Sequence, residues 1–192
     1  MFLPQGYEQP QAKSNYFAVS KLKEKTDNVI RILSTPVLGW LDWKDEDGKK
    51  SPVRTPFTEP CPEPLDKTKP VKHFWAMVIW DYKDSAIKIM EITQSTIQEA
   101  IYNLDCDESW GEPMNYDINI KRTGEKLETK YFLTPRPPKP LAEEIKTALK
   151  EINPNLNALF SNDDPFASKG QSDEELHKAT QDEEIDVSKI PF

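Results

Sequence analysis

Trp40 and Trp43 stand three residues apart, Lys44 follows directly, and Lys49, Lys50, Arg54 and Phe57 come soon after. Flat rings interleaved with cations suit one kind of ligand well. Unpaired nucleobases lie on aromatic faces, at about 1–3 kcal/mol per base, while Lys and Arg meet the phosphates. Trp75, Lys88, Lys121 and Arg122 are of the same two kinds, and Arg31 alternates with Ile30 and Ile32. Plainer roles stand beside this one. Tryptophans usually fill cores, and Trp80 reads as core. Lys49 and Lys50 next to Asp45, Glu46 and Asp47 fit a solvated turn. Trp110, between Ser109 and Gly111, fits loop packing.

Catalysis finds less support. The only histidines are His73 and His177, and no order of Ser, Cys and His suggests a nucleophile with its base. GxxxxGK and GxGxxG phosphate loops are missing from the sequence. Asp42, Asp45, Glu46 and Asp47 lack the spacing of a calcium loop. Cys61 and Cys106 have no partner at zinc spacing and read as free thiols. The chain is expected to be no enzyme and to carry no metal or cofactor.

The elements that must position these residues follow from pattern. Val29, Ile30, Ile32 and Leu33 form a β-rich run that Pro36 breaks, and a second extended piece spans Val37 to Lys44. Residues 45–71 hold six prolines and no periodicity, which predicts a long loop of functional character. "HFWAMVIWDYKDSAIKIMEIT" predicts a hairpin with Asp84-Ser85 at its centre, Asp81 facing Lys88 and Ile79 facing Met90. Ala76, Val78, Trp80, Ile87 and Ile89 then share an inward face. Trp75, Met77, Asp81, Lys88 and Met90 share an outward one, because it carries the charges. Ile97, Ile101 and Leu104 mark a helix that Ser95 and Gln98 open as a capping box. Tyr116, Ile118 and Ile120 alternate in a strand, Gly124 turns it, and the return lies near Thr129 to Leu133.

Five strands with a helix between the third and fourth is the order of an OB-fold, a small all-β Greek-key barrel with minor α content. The Pro-rich loop and the last hairpin fall where such barrels grip oligonucleotides. The expected division is a flexible segment 1–20, an OB domain 21–135, a Pro-rich linker with a short amphipathic helix 136–155, and a disordered acidic tail 156–192. Charge supports the split. Lys and Arg number 20 against 21 Asp and Glu in residues 1–140, but 5 against 12 in residues 141–192. No stretch approaches the roughly 20 apolar residues of a membrane span, and "MFLPQGYEQPQAKSN" lacks the order of a signal peptide. A cytoplasmic protein of a bacterial or phage-infected cell is expected.

The tail closes on Ile190, Pro191 and Phe192 after Asp182, Glu183, Glu184 and Asp186. This ending resembles the C-terminal tip of bacterial single-stranded DNA-binding proteins, with Lys189 in place of the last acid. The body is similar to phage-type single-stranded DNA-binding proteins over roughly residues 20–141, in "DNVIRILSTP", "HFWAMVIWDY", "IMEITQSTIQEAI" and "ETKYFLTPRPPKPL". The resemblance implies an OB-fold that coats unwound DNA in replication, recombination and repair, and a tip that recruits partner enzymes by its terminal Phe and carboxylate. The readings left beside it are a protein–protein adaptor and an RNA-binding OB protein.

Overall fold

The computed structural model describes residues 14–167, and Ile190, Pro191 and Phe192 lie outside them. Seven antiparallel strands form one sheet: β1 (Asn28–Ile32), β2 (Val37–Glu46), β3 (Lys49–Pro56), β4 (Lys72–Asp81), β5 (Ala86–Ile92), β6 (Asp117–Thr123) and β7 (Lys130–Pro135). Helix α1 (Ser95–Cys106) joins β5 to β6, and α2 (Glu143–Ile152) follows β7. Strands run in the order β3-β2-β4-β1-β6-β7, with β5 on the other edge of β4. None of the described helices is long and apolar enough to cross a membrane.

As Pro36 predicts, β1 and β2 are one course interrupted at Ser34–Pro36. β1 pairs with the end of β4 (Ile32 with Ile79) and β2 with its beginning (Val37 with Ala76). At the break, the Val78 amide donates to Ser34 Oγ, which supplies an acceptor where the ladder is interrupted. Among the described residues β5 and β7 do not pair, so the sheet stays open and the expected closed five-strand barrel does not form.

Two strands had no place in the expected set of five. One arises from splitting the first at Pro36. The other, β3, lies inside the supposed loop 45–71 and pairs with β2 from Gly39–Pro56 to Glu46–Lys49. Asp47 and Gly48 turn the hairpin with φ of 52° and 80°, the two positive values that an Asp-Gly turn of this kind needs. The Asp45 carboxylate accepts from the Gly48 amide at 3.0 Å. Pro52 and Pro56 are tolerated because β3 is an edge strand, where a missing N–H can face away from the sheet.

The β4–β5 hairpin keeps the expected sorting of faces but slips by two residues. Its turn takes four residues, Tyr82 to Ser85, so Asp81 pairs with Ala86, Ile79 with Lys88 and Met77 with Met90. A slip of two leaves every side chain on its own face. The supposed outward face is nevertheless buried. Met77, Ile79, Met90 and Ile92 form one core with Ile97 and Ile101 of α1, Ile118 and Ile120 of β6, and Phe17 and Val19. Phe74, Ala76, Val78, Trp80, Ile87 and Ile89 form a second core with Leu41, Ile145 of α2, Leu156 and Leu159. The sheet is thus covered on both sides.

That second cover corrects the domain plan. Residues 136–155 do not stand apart: α2 docks through Ile145, Ala148, Leu149 and Ile152. Residues 156–167 are not tail either, because a 3-10 helix at Leu156–Ser161 buries Leu156 and Leu159. At the other end, Phe17 and Val19 are buried, and the Phe17 amide donates to the Ile89 carbonyl, so residues 14–20 lie against β5. Gln98 makes no capping box. Its side-chain amide donates to the His73 and Ile92 carbonyls and fastens α1 to the sheet.

Gly39 sits where β2 passes close to β3 and to two aromatic rings of this second core. A Cβ there would meet the Thr55 carbonyl oxygen at 2.5 Å, the Phe74 ring at 2.7 Å and the Phe160 ring at 3.0 Å. Gly39→Ala is expected to destabilise the fold by about 1–3 kcal/mol, read as a lower denaturant midpoint, and to speed proteolysis near Phe160. A second expectation concerns alkaline pH. Burial, first among the causes, raises the hydroxyl pKa of Tyr16, Tyr82 and Tyr116 above 10.0. Groups with a raised folded pKa contribute stability that is complete below the unfolded value and lost as pH rises through the folded one. The midpoint of urea unfolding should fall on moving from about pH 9 to about pH 11 through this linkage. An unchanged midpoint would show these hydroxyls to be solvated.

Candidate nucleic-acid interface

Period-two geometry separates the first pair of tryptophans. Three residues apart on one strand, Trp40 and Trp43 point to opposite faces. Trp43 is 48% exposed. It lies opposite Pro52 on β3, and its amide donates to the Asp42 carboxylate at 2.7 Å. The other Asp42 oxygen accepts from the Leu65 amide, also at 2.7 Å. This buried carboxylate therefore holds the Pro-rich connection between β3 and β4 against β2.

Between that connection and the β2–β3 hairpin opens a cleft of about 730 Å³, lined by Trp43, Lys44, Asp45, Lys50, Leu65, Asp66, Lys67 and Lys69. Four lysines face two aspartates, so the balance is positive. Lys44 pairs with Glu46 and Lys69 with Asp66, each at 2.6 Å. Hydrogen bonds from Lys69 and Thr68 hold the Asp66 carboxyl well below the usual carboxylate range. The same bond to Asp66 raises the Lys69 pKa, so that ammonium is charged at neutral pH. Such exposed pairs are weak in water and can exchange partners with a phosphate.

On the other face, Trp40, Phe57, His73 and Trp75 form a continuous aromatic strip. Ring centroids are 5.5 Å apart for Trp40 and Phe57, 5.1 Å for Phe57 and His73, and 6.4 Å for His73 and Trp75. His73 Nδ1 lies 3.0 Å from the Gly39 carbonyl, and its Nε2 accepts from the Trp75 indole N–H at 3.0 Å. A carbonyl only accepts, so the ring proton is on Nδ1. Trp40 donates its indole N–H to the Glu59 carbonyl. Phe57, 51% exposed, is the open member of the strip.

The other expected contacts lie elsewhere. Arg31 is buried: Nη1 donates to Asp117 at 3.1 Å, Nε to the Met114 carbonyl and Nη2 to the Lys139 carbonyl. It faces no groove. Lys88 is buried too, paired with Asp81 at 2.8 Å and with Asp84. Burial opposes its charge, but its hydrogen bonds to the two aspartates outweigh that and raise its pKa. Both cations alternate with apolar neighbours because they serve buried ion pairs. Arg54 joins Glu91 at 2.9 Å and Asn162 at 3.1 Å, tying β3 to the end of the 3-10 helix. Lys49 is exposed opposite Glu46 beside the hairpin turn.

Lys121 and Arg122 are on β6, toward the far edge of the sheet. Lys121 pairs with Asp27 at 3.0 Å, and Arg122 donates to the Leu22 carbonyl. The expected residues therefore fall into separate places: Trp43, Lys44 and Lys50 in the cleft, Trp40, Phe57 and Trp75 on the strip, Lys121 and Arg122 on the far wing. Sequence reasoning missed Leu65, Lys67 and Lys69 in the cleft, although lysines alternate in "LDKTK". It also missed Phe132, 54% exposed and opposite Lys121 on β7. Comparison of the chain with protein-family models, with curated proteins and with solved structures returned no match.

Proposed function

We propose that the chain binds single-stranded DNA without strong sequence preference, in replication, recombination or repair. In this reading Trp43 is the main stacking surface, Lys44, Lys50, Lys67 and Lys69 meet phosphates, and Phe57 with Trp40 offers a second surface. The observation that carries it is a half-exposed indole in a cleft with four lysines. Water solvates such a ring poorly, and a nucleobase covers it well. The cleft's two carboxylates are already engaged, Asp45 with the Gly48 amide and Asp66 with Lys69, which leaves little to read base edges and supports tolerance of sequence. The pairings of the broken first strand with β4 and β6, of β4 with β5 and of β6 with β7 support reading the sheet as a Greek-key barrel left open between β5 and β7. Ile190, Pro191 and Phe192 would recruit partner enzymes.

Tryptophan fluorescence tests this. Oligo-dT should quench emission, and salt should reverse the quenching. With four lysines engaged, the logarithm of affinity should fall against the logarithm of salt with a slope of about −2 to −3. Unchanged emission at saturating oligonucleotide would remove the proposal, and tighter binding of oligo-U would redirect it to RNA.

A further inference from the structure

The interruption between β1 and β2 does more than bend a strand. Where the chain steps away from β4 at Thr35 and Pro36, a hollow of about 370 Å³ opens under α1. Its walls are mostly apolar: Ile32, Trp75, Met77 and Ile101 line it, and Asp105 and Glu112 stand at its mouth. That volume lies in the range of about 300–1,000 Å³ typical of ligand pockets, and it suits a large apolar side chain with the peptide that carries it.

The charges at the mouth are arranged against the folding interest of α1. A helix C-terminus carries partial negative charge and is normally complemented by cations. Here the last turn of α1 has no basic residue. Asp105, Asp107, Glu108 and Glu112 gather at that end instead. Among the described residues no cation pairs with Asp105 or Glu112. The stretch from 168 to 192 holds three lysines against seven acids, so repulsion disfavours the chain's own end as occupant. The same repulsion disfavours phosphates.

We infer that this hollow docks a basic segment of a partner protein, with one large apolar side chain seated over Trp75 and Met77 and flanking Lys or Arg paired with Asp105 and Glu112. An apolar anchor gives the contact its grip, and complementary charge gives it its choice of partner. The site is distinct from the lysine cleft, and each can fail without the other.

The test uses the full chain with labelled Ile and Met methyl groups, observed by NMR. The probes are an equimolar mixture of capped tetrapeptides Lys-X-X-Arg with X drawn from Leu, Phe and Met, the same mixture with Glu replacing both cations, a peptide of residues 186–192, and oligo-dT. The cationic mixture should shift the Met77, Ile101 and Ile32 methyls, less so at high salt. Asp105→Asn with Glu112→Gln should weaken that binding about tenfold and leave oligo-dT affinity unchanged. Four outcomes overturn the inference: no shift with the cationic mixture, equal shifts with the acidic one, binding that the double variant does not weaken, or direct occupation of these methyls by the terminal peptide or oligo-dT.

Discussion

Trp43→Ala lowers affinity for oligo-dT about tenfold or more, within the roughly 1–3 kcal/mol that a stacked base contributes, and leaves the fold intact. The indole is 48% exposed and belongs to neither core, so its loss should open no cavity. Its direct cross-strand neighbour is Pro52. Trp43→Phe should restore part of the affinity, because a smaller ring still offers a face. Phe132→Ala is the control. That ring is equally open but lies beside Lys121 on the far wing, and its loss should leave oligo-dT affinity unchanged. Fluorescence anisotropy of a labelled oligonucleotide measures all three. Equal losses for Trp43 and Phe132 would mean that the strand crosses the whole sheet rather than following the cleft.

The largest expected effect on stability lies at Asp117. Its carboxylate is buried and holds three groups together. Arg31 donates to it at 3.1 Å, the Tyr82 hydroxyl at 3.0 Å, and Lys139 pairs with it at 2.6 Å. Arg31 in turn binds the Met114 and Lys139 carbonyls at 2.8 and 2.7 Å. Asp117→Ala strands a buried guanidinium, which costs about 3–5 kcal/mol. At about 2–4 °C per kcal/mol for a chain of this size, Tm should fall on the order of 10 °C. The Pro-rich stretch around Lys139 would lose an anchor and become easier to cleave. Lys139→Ala removes a half-exposed partner only, and its effect should be much smaller. A Tm unchanged in Asp117→Ala would show that the network is not what closes this side of the sheet.

How much of this was readable from the residues depends on the range of the interactions. The break at Pro36, the face sorting of β4 and β5, the apolar stripe of α1 and the alternation of β6 are local patterns, and each appears as expected. The adjacency of Trp40, Trp43 and Lys44 did not show which indole is open: Trp43 is exposed, while Trp40 lies half-buried on the opposite face. The burial of Arg31 and Lys88 was not readable either. An alternating cation reads as facing water unless its partner is known, and Asp117 lies 86 residues from Arg31. The slip of the β4–β5 hairpin turned on the length of one turn. Prolines hid β3, because their cost depends on whether the strand is at an edge. The packing of residues 156–167 was masked by polar neighbours around Leu156, Leu159 and Phe160. The joining of Leu65, Lys67 and Lys69 to Trp43 rests on Asp42 holding a distant amide, which no periodicity reveals.

Photocross-linking shows directly whether bases lie on the Trp43 indole. An oligo-dT carrying 5-bromodeoxyuridine, irradiated on the full chain and mapped by mass spectrometry, reports which rings lie against bases. The main adduct should fall on the segment between Arg31 and Lys44, at Trp43, and should disappear in Trp43→Ala. Adducts confined to the β6–β7 hairpin, or none under saturating binding, would show that bases do not stack in the cleft.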